Sequence, residues 1–489
     1  MIIKENQWIL SLLLIVIFVL FFRLISWNVV DLNLAFDEAQ YWTWSLNNEW
    51  GYYSKPPLLA WLLSLTTSSC GISEFCIRII SPILYSISAF FIAFSAYLLS
   101  DAIHRKRAAF LAGSIWIIIP GISFSSGIIS TDVPMLFFSS LIIWCLCYCL
   151  FSEKKKYKNL FWAVLTFSFA LGFLSKYAII LIPVSFLFFI ILNKNFFKEY
   201  LVRLNKKKIL FFLSIFILII YPHILWNFEN GFITFQHTAD NANIRGTSYS
   251  FYNAFIFFLE QFAVFGPINF IILLYLAFRY QRLPSKQKLI LFLSITPILI
   301  MVIQAFFSRA HANWAVVSYV PATILIALFL ANWSKKEQKA YYISIFTSLV
   351  VLFSLPVFAY LNFKLDPFKK MRGWQEVVIN ISEIYSHYPN AVLVADDRKI
   401  LAESIYYLKP RPIQWVRWNT DGKIHDHYEL VTKHKDLKNK ISIMVSVEED
   451  NKHFVKFFDK VRYLGAVSRK IREGKTKEYK LWLLEGYKE

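Results

Sequence analysis

The chain has 489 residues, of which 57% are apolar and 48 are Phe. Ordinary soluble domains are about 45–50% apolar, and here the surplus lies in runs of membrane-helix length, which excludes the soluble globular class. The net charge of +20 invites a nucleic-acid reading, but Lys and Arg sit in short loops between apolar runs and no nucleic-acid motif accompanies them. The partners expected from charge are therefore membrane lipids, and no nucleic acid.

The first apolar run, 8–26, exceeds a typical signal-peptide core and lacks a small-residue cleavage site after it, so it predicts a retained helix. Further runs follow at 78–100, 108–124, 132–151, 160–175, 177–193, 209–226, 253–278, 289–307, 314–332 and 341–361. Together they predict about eleven membrane helices, ten to thirteen if the shorter runs near 108–124 and 160–193 are read as broken or re-entrant. One set of loops carries "HRKR" (104–107), "EKKKYK" (153–158), "KNFFKEYLVRLNKKK" (194–208), "RYQRLPSKQK" (279–288) and "SKKEQK" (334–339). The alternate set is nearly free of cations except Lys55, Arg78, Lys176, Arg245 and Arg309. The positive-inside rule then predicts a cytoplasmic N-terminus and puts the alternate loops outside.

The first external loop, 27–77, contains "AFDEAQYWTWSLNNEWGYYSKPPLLAW" (35–61). A short interfacial helix is expected from Asp37 and Glu38, with Ala39, Tyr41, Trp42, Trp44 and Leu46 on its apolar side. Pro56 and Pro57 force an extended or turning backbone around Lys55. Cys70 and Cys76 of the same loop allow a disulfide or two free thiols. Cys145, Cys147 and Cys149 lie inside one apolar run and read as inert packing residues.

After residue 361 the composition turns polar. "AVLVAD" (391–396), "ISIMVS" (441–446) and "YKLWLLEG" (479–486) predict strands, while 373–387 and 397–408 predict amphipathic helices. Such alternation predicts a small α/β domain over 362–489, placed outside by an odd helix count before it. Asp396 and Asp397 end a strand and read as a helix N-cap. No internal repeat is evident and Gly is scarce at 14 residues, which counts against a transporter.

Several side chains have both a structural and a chemical reading. Carboxylates near hydrocarbon are expensive, so Asp37 and Glu38 act either as helix N-terminal acids favoured by the dipole or as a general base or sugar anchor. Lys55 either snorkels to head groups or binds a phosphate as a point charge. The aromatic belt of Trp42, Trp44, Trp50, Tyr52 and Tyr53 anchors at the interface, and aromatic faces also stack on sugars. Asp132, before Pro134, is an N-cap or a site residue. Lys176 and Tyr177 interrupt an apolar stretch, and a lysine there needs a carboxylate or phosphate partner. His237 and Arg245 lie in a loop, 227–252, able to close over a ligand. His237 and His311 share a metal only if a carboxylate joins them. Trp226, Asn227, Asn313 and Trp314 read as structural interface residues with a secondary option of sugar contact.

"DEAQYWTW" followed by "GYYSKPPLLAW" resembles bacterial GT-C fold glycosyltransferases of the protein-mannosyltransferase-like superfamily, which includes the aminoarabinose transferase of lipid A. "STDVPMLFF" (130–138), "LGFLSKYAIILIP" (171–183), "YPHILWNFENGFITFQH" (221–237) and "RAHANWAVVSYVP" (309–321) resemble further segments of that family in order. "RGWQEV" (372–377) and "DDRKILAESIYYL" (396–408) extend the likeness into the outer domain.

The resemblance implies a polytopic α-helical GT-C domain over 1–361 and a small C-terminal α/β extracytoplasmic domain over 362–489. It implies a multi-pass enzyme of the bacterial inner membrane that uses a polyprenyl-phosphate-linked sugar donor. The acceptor would be lipid A or another envelope glycan. Asp37 matches the catalytic acidic position, with Glu38 beside it. Lys55 matches a phosphate-binding lysine, which Arg245, Arg309, Tyr53 and Lys176 would assist. Tyr52, Asp132, Tyr177, His237, His311 and Asn313 would contact sugar or acceptor. Ser54 replaces the carboxylate that precedes the Lys in the aminoarabinose branch, so metal binding is left open: no cofactor is expected with certainty, and a divalent metal stays possible. The alternatives are a protein O-mannosyltransferase and a lipid-linked sugar flippase. A flippase predicts ionisable residues at helix midplanes, whereas these lie at external helix ends.

Overall fold

The computed structural model describes residues 7–30, 32–196, 206–243, 249–332, 334–361, 367–472 and 474–488. Arg245 and most of the basic loop 194–208 lie outside the described residues. The chain forms two compact units. The first comprises Met1–Trp27, Lys55–Leu59 and Arg78–Pro356; the second comprises Asn28–Ser54, Ala60–Ile77 and Val357–Glu489.

Among the described residues, eight helices are long and apolar enough to cross a membrane, or nine if the bent pair Phe251–Phe265 and Pro267–Phe278 counts as one span. This is fewer than the eleven expected, and proline is one reason. The run at 108–124 divides into Arg105–Ile118 and Pro120–Ser125, because Ile119 is pushed out of helical geometry (ψ 145°) by the proline after it. The stretch at 177–193 opens as a 3₁₀ turn, Tyr177–Ile180, and continues as the short helix Leu181–Leu192. The pair at 251–278 bends by 117° at Gly266, whose φ of +92° a side-chain-bearing residue rarely adopts. With the count at eight or nine, helix parity no longer supplies a side for the C-terminal residues, and only the loop charges speak to it.

The first unit is held together where small residues let helices approach. Ser88, Ala89, Ala93, Ser95 and Ala96 of Ile80–Leu99 are fully buried, as are Ala108, Ala109 and Ala112 of Arg105–Ile118. A Cβ on Gly113 would stand 2.7 Å from the Leu12 side chain. The broken end of Arg105–Ile118 is satisfied by side chains: buried Arg23 donates to the Ile117 carbonyl, and Ser123 Oγ donates to the Ile118 carbonyl at 3.2 Å. That is the condition for tolerating irregular backbone at membrane depth. By contrast Leu210, Phe211 and Leu218 of Lys206–Glu229 are exposed, as expected of a lipid-facing helix.

The second unit contains one five-stranded sheet. Its strands are β1 (Val392–Ala395), β2 (Trp415–Arg417), β3 (Ser442–Ser446), β4 (Phe458–Arg472) and β5 (Lys475–Tyr487). The order is β2-β1-β3-β5-β4, parallel across β2-β1-β3 and antiparallel beyond. Strands β1, β3 and β5 and the helices Trp374–Tyr385 and Arg398–Tyr407 were legible in sequence. Strand β4 was not, because "FDKVRYLGAVSRKIR" is charged throughout and offers no clean apolar alternation.

The segment before the second span folds with these C-terminal residues. Helix Phe36–Ser45 packs against Arg398–Tyr407, with the Trp42 ring edge-on to Tyr406 at 5.0 Å. Cys70 and Cys76, left open by the sequence, are bonded, with their Cα atoms 5.7 Å apart. Cys145, Cys147 and Cys149 are buried free thiols.

Candidate functional site

The interfacial helix begins where Ala35 is extended (ψ 148°), and Glu38 Oε2 accepts the Ala35 N–H at 2.8 Å. Glu38 is 2% exposed and committed to that cap, the structural reading of the two it had. Asp37, one residue earlier, points elsewhere. Its carboxyl is 50% exposed and stands 3.6 Å from Arg398 Nη1. Arg398 also donates to Gln40 Oε1 at 2.7 Å, and its guanidinium lies over the Phe36 ring at 5.1 Å. Asp397 N-caps the helix bearing Arg398, accepting from the Lys399 and Ile400 amides. Of the two adjacent carboxylates, Asp37 is the more exposed.

Tyr52 is spent on structure. It is 1% exposed, stacks on Trp44 at 4.7 Å, and its hydroxyl lies 3.0 Å from the Trp44 and Asn47 carbonyls. A sugar has no open face of that ring to meet, so the expected contact at Tyr52 is corrected to a scaffold role. His427 closes the same cluster, edge-on to Tyr52 at 5.1 Å and Trp44 at 5.5 Å. The Tyr53 amide donates to His427 Nδ1 at 3.4 Å. Burial pushes the His427 imidazole down to about 3, so it is neutral.

That shift has a testable sign. An unfolded histidine binds a proton near pH 6.5, so between pH 6.5 and 3 the unfolded chain holds more protons at this position. The stabilisation is complete above pH 6.5 and is lost as pH falls, by about 1.4 kcal/mol per pH unit inside the window. Neighbouring Glu429, raised by burial, acts in the opposite sense. His427→Gln is expected to flatten the acid-side loss of thermal stability; an unchanged slope would remove His427 as its source.

In the first unit, three candidate residues come together. Asp132 opens the helix Asp132–Phe151, and Lys176 sits at the extended break (φ −160°) after Lys158–Ser175. Lys176 Nζ is 2.6 Å from Asp132 Oδ1, and Asn313 Nδ2 donates to Asp132 Oδ2 at 2.8 Å. Both carboxylate oxygens are thus engaged, and Lys176 has the carboxylate partner that its setting demanded. Next along the chain, the Tyr177 hydroxyl pairs with His223 Nε2 at 2.7 Å, and its ring stacks on Phe235 at 4.8 Å. His223 is fully buried and was missed in sequence. The available signal was an ionisable residue inside the apolar run 209–226.

The remaining candidates are more dispersed. His237 Nε2 is 2.9 Å from Asn241 Nδ2, and Arg309 Nε donates to the Asn241 carbonyl at 3.2 Å. His311 lies edge-on to Trp314 at 5.3 Å. Lys55 is half-buried and belongs to the first unit, while Ser54, Tyr53 and Asp37 belong to the second. Among the described residues no group of three or more His, Cys, Asp or Glu side chains is gathered to hold a metal, so His237 and His311 do not form the shared site considered above.

The protein is thus a polytopic helical membrane protein with a small sheet-containing unit, and it has known counterparts. Residues 54–226 match the family model described as dolichyl-phosphate-mannose-protein mannosyltransferase. The chain is 28% identical over 417 residues to the lipid A galacturonosyltransferase RgtD of Rhizobium johnstonii, covering 82% of this chain and 85% of the relative. Crystal structures of ArnT from Cupriavidus metallidurans share the fold, at 13% identity. The apo state aligns with a TM-score of 0.63 over 96% of this chain and 97% of that one. The undecaprenyl phosphate complex aligns with 0.65 over 98% of each. The class is therefore the GT-C fold. In sequence the chain is similar to glycosyltransferases, through the mannosyltransferase family model over residues 54–226 and the lipid A galacturonosyltransferase relative.

Proposed function

We propose that the protein transfers a sugar from a polyprenyl-phosphate-linked donor to lipid A or another envelope glycan at the outer face of the inner membrane. The observation that carries this reading is Asp37: a half-exposed carboxylate on a short aromatic helix, beside a neighbour already spent on the helix cap. RgtD by its name acts on lipid A, and ArnT was crystallised with undecaprenyl phosphate, which supports the donor and acceptor classes. The N-terminus is placed in the cytoplasm and the C-terminal unit outside, on the loop charges.

In the reaction an acceptor oxygen attacks the anomeric carbon as its bond to the phosphate oxygen breaks, and the electron pair leaves with the phosphate. Asp37 takes the acceptor proton where the acceptor is a hydroxyl. Where the acceptor is a phosphate, already ionised, Asp37 orients it. Lys55 stabilises the charge that grows on the leaving phosphate, with Arg245 and Arg309 as further cations. Lys176 is assigned a different part: paired with Asp132, it positions the outer helix ends rather than binding phosphate. Lys55→Ala is expected to raise the donor KM and lower kcat together, measured with purified lipid-linked sugar. Normal kinetics in that variant would remove Lys55 from the site.

Arg398 is a positioning residue for Asp37. Arg398→Ala is expected to lower kcat about tenfold with donor KM unchanged, and Arg398→Lys to recover part of it. Equal loss in both with a matching drop in thermal stability would reduce Arg398 to a packing residue. The overall reading is tested by mass spectrometry of lipid A from cells with and without the protein, the name of the Rhizobium relative making galacturonic acid the first sugar to seek. Unchanged lipid A together with altered glycoproteins would move the acceptor to protein.

A further inference from the structure

The second unit contains a cleft of about 500 Å³ that the transfer reaction leaves unused. Its walls come from three separate stretches: the disulfide-closed turn with Glu74, the helix Trp374–Tyr385 with Gln375 and Ser382, and the segment after Arg398–Tyr407 with Lys409 and Arg411.

The cleft is built rather than incidental. The Tyr407 hydroxyl accepts the Leu34 amide at 2.9 Å and donates to Glu74 Oε1 at 2.8 Å, tying the disulfide turn to the far wall. Burial raises the Tyr407 phenol, which keeps it a donor to that carboxylate. The Cys70–Cys76 bond encloses Glu74 and fixes its backbone.

Two cations, Lys409 and Arg411, line this space together with the carboxylates of Glu74 and Glu383. Among the described residues, neither Lys409 nor Arg411 has an acidic side chain within ion-pair distance. The Arg411 Cζ lies 5.1 Å from the Trp42 ring centre and 5.8 Å from that of Tyr406, and among the described residues only its Nε donates, to the Tyr406 carbonyl at 3.3 Å. These ring contacts hold the guanidinium and leave its terminal nitrogens for a planar or tetrahedral anion. Gln375, Ser382 and the Glu383 carboxylate supply donors and acceptors of the kind that sugar hydroxyls use. We propose that this cleft is a binding site for an anionic saccharide, its charged group on Lys409 and Arg411 and its hydroxyls on the Gln375–Glu383 face. The proposal rests on the glycan acceptor reading, for which the cleft would hold a saccharide portion away from the reacting bond.

The test uses the full-length protein in detergent and saturation-transfer NMR with three probes: N-acetylglucosamine 1-phosphate, N-acetylglucosamine and galacturonate. The phosphate and carboxylate sugars separate the two sources of charge. The expected result is binding of at least one anionic probe at least tenfold tighter than the neutral sugar. Lys409→Ala and Arg411→Gln should each weaken it several-fold. Arg411→Gln risks its packing on Trp42; Lys409→Glu lies off that contact and should abolish binding with an unaltered melting temperature. Equal binding of charged and neutral probes, or insensitivity to Lys409→Glu, overturns the proposal. Failure of the glycosyltransferase reading shows instead as no transfer in the donor assay, which this binding measurement does not use.

Discussion

Asp37→Asn is expected to lower the rate of sugar transfer by about 10²–10⁴-fold, the range a positioned general base contributes, with the protein still folded in the membrane. The amide keeps the shape and a hydrogen-bond acceptor but cannot take a proton. Folding should survive because Asp37 is half-exposed and its ion pair to Arg398, at 3.6 Å, is long. An exposed pair of that kind is worth little to stability. Glu38→Gln separates the two neighbours: it should weaken the cap at Ala35 by about 1 kcal/mol and change transfer only modestly. Near-normal transfer in Asp37→Asn with an ionisable hydroxyl acceptor would sink the base assignment. Loss confined to hydroxyl acceptors, with phosphate acceptors spared, would place Asp37 as base in one reaction and as orienting group in the other.

The second large effect is on stability. Lys176→Ala is expected to cost about 3–5 kcal/mol, because removing one partner of a mostly buried ion pair strands the other. Here the stranded group is Asp132, at 10% side-chain exposure, left with Asn313 alone. The reverse change, Asp132→Asn, strands Lys176. The double variant Asp132→Asn, Lys176→Met removes both charges and should recover most of the loss, which a double-mutant cycle on melting temperatures would read as strong coupling. Additive losses would mean that the two residues act independently despite their 2.6 Å contact. Asn313→Ala should cost less, since it removes a single charge-assisted hydrogen bond from an exposed residue.

These expectations differ in how far they were readable beforehand. Asp37 stood out because a carboxylate pair beside an apolar run is expensive, and that argument needs no coordinates. It could not say which of Asp37 and Glu38 was spent on the helix cap; the Ala35 amide decided that. Lys176 likewise announced a need for a partner, and the sequence offered several. Asp132 lies 44 positions away and is selected only when two helix ends meet. Tyr52 was overread, because an aromatic residue at an interface looks the same on paper whether its face is open or stacked on Trp44.

The membrane class, the helical architecture, the strand-bearing C-terminal region and the loop rich in candidate site residues were legible in the residues alone. Each of these follows from local free energies: apolar run length against bilayer thickness, and period-two against helical patterning. Tertiary structure decided the joining of residues 28–54 and 60–77 with the chain beyond 357 in one unit, and with it the Arg398 neighbour of Asp37. It also decided the disulfide, the helix break that Arg23 satisfies, and the cleft around Arg411. Such pairings depend on which distant surfaces bury each other, a choice made by the whole chain and not by any window of it.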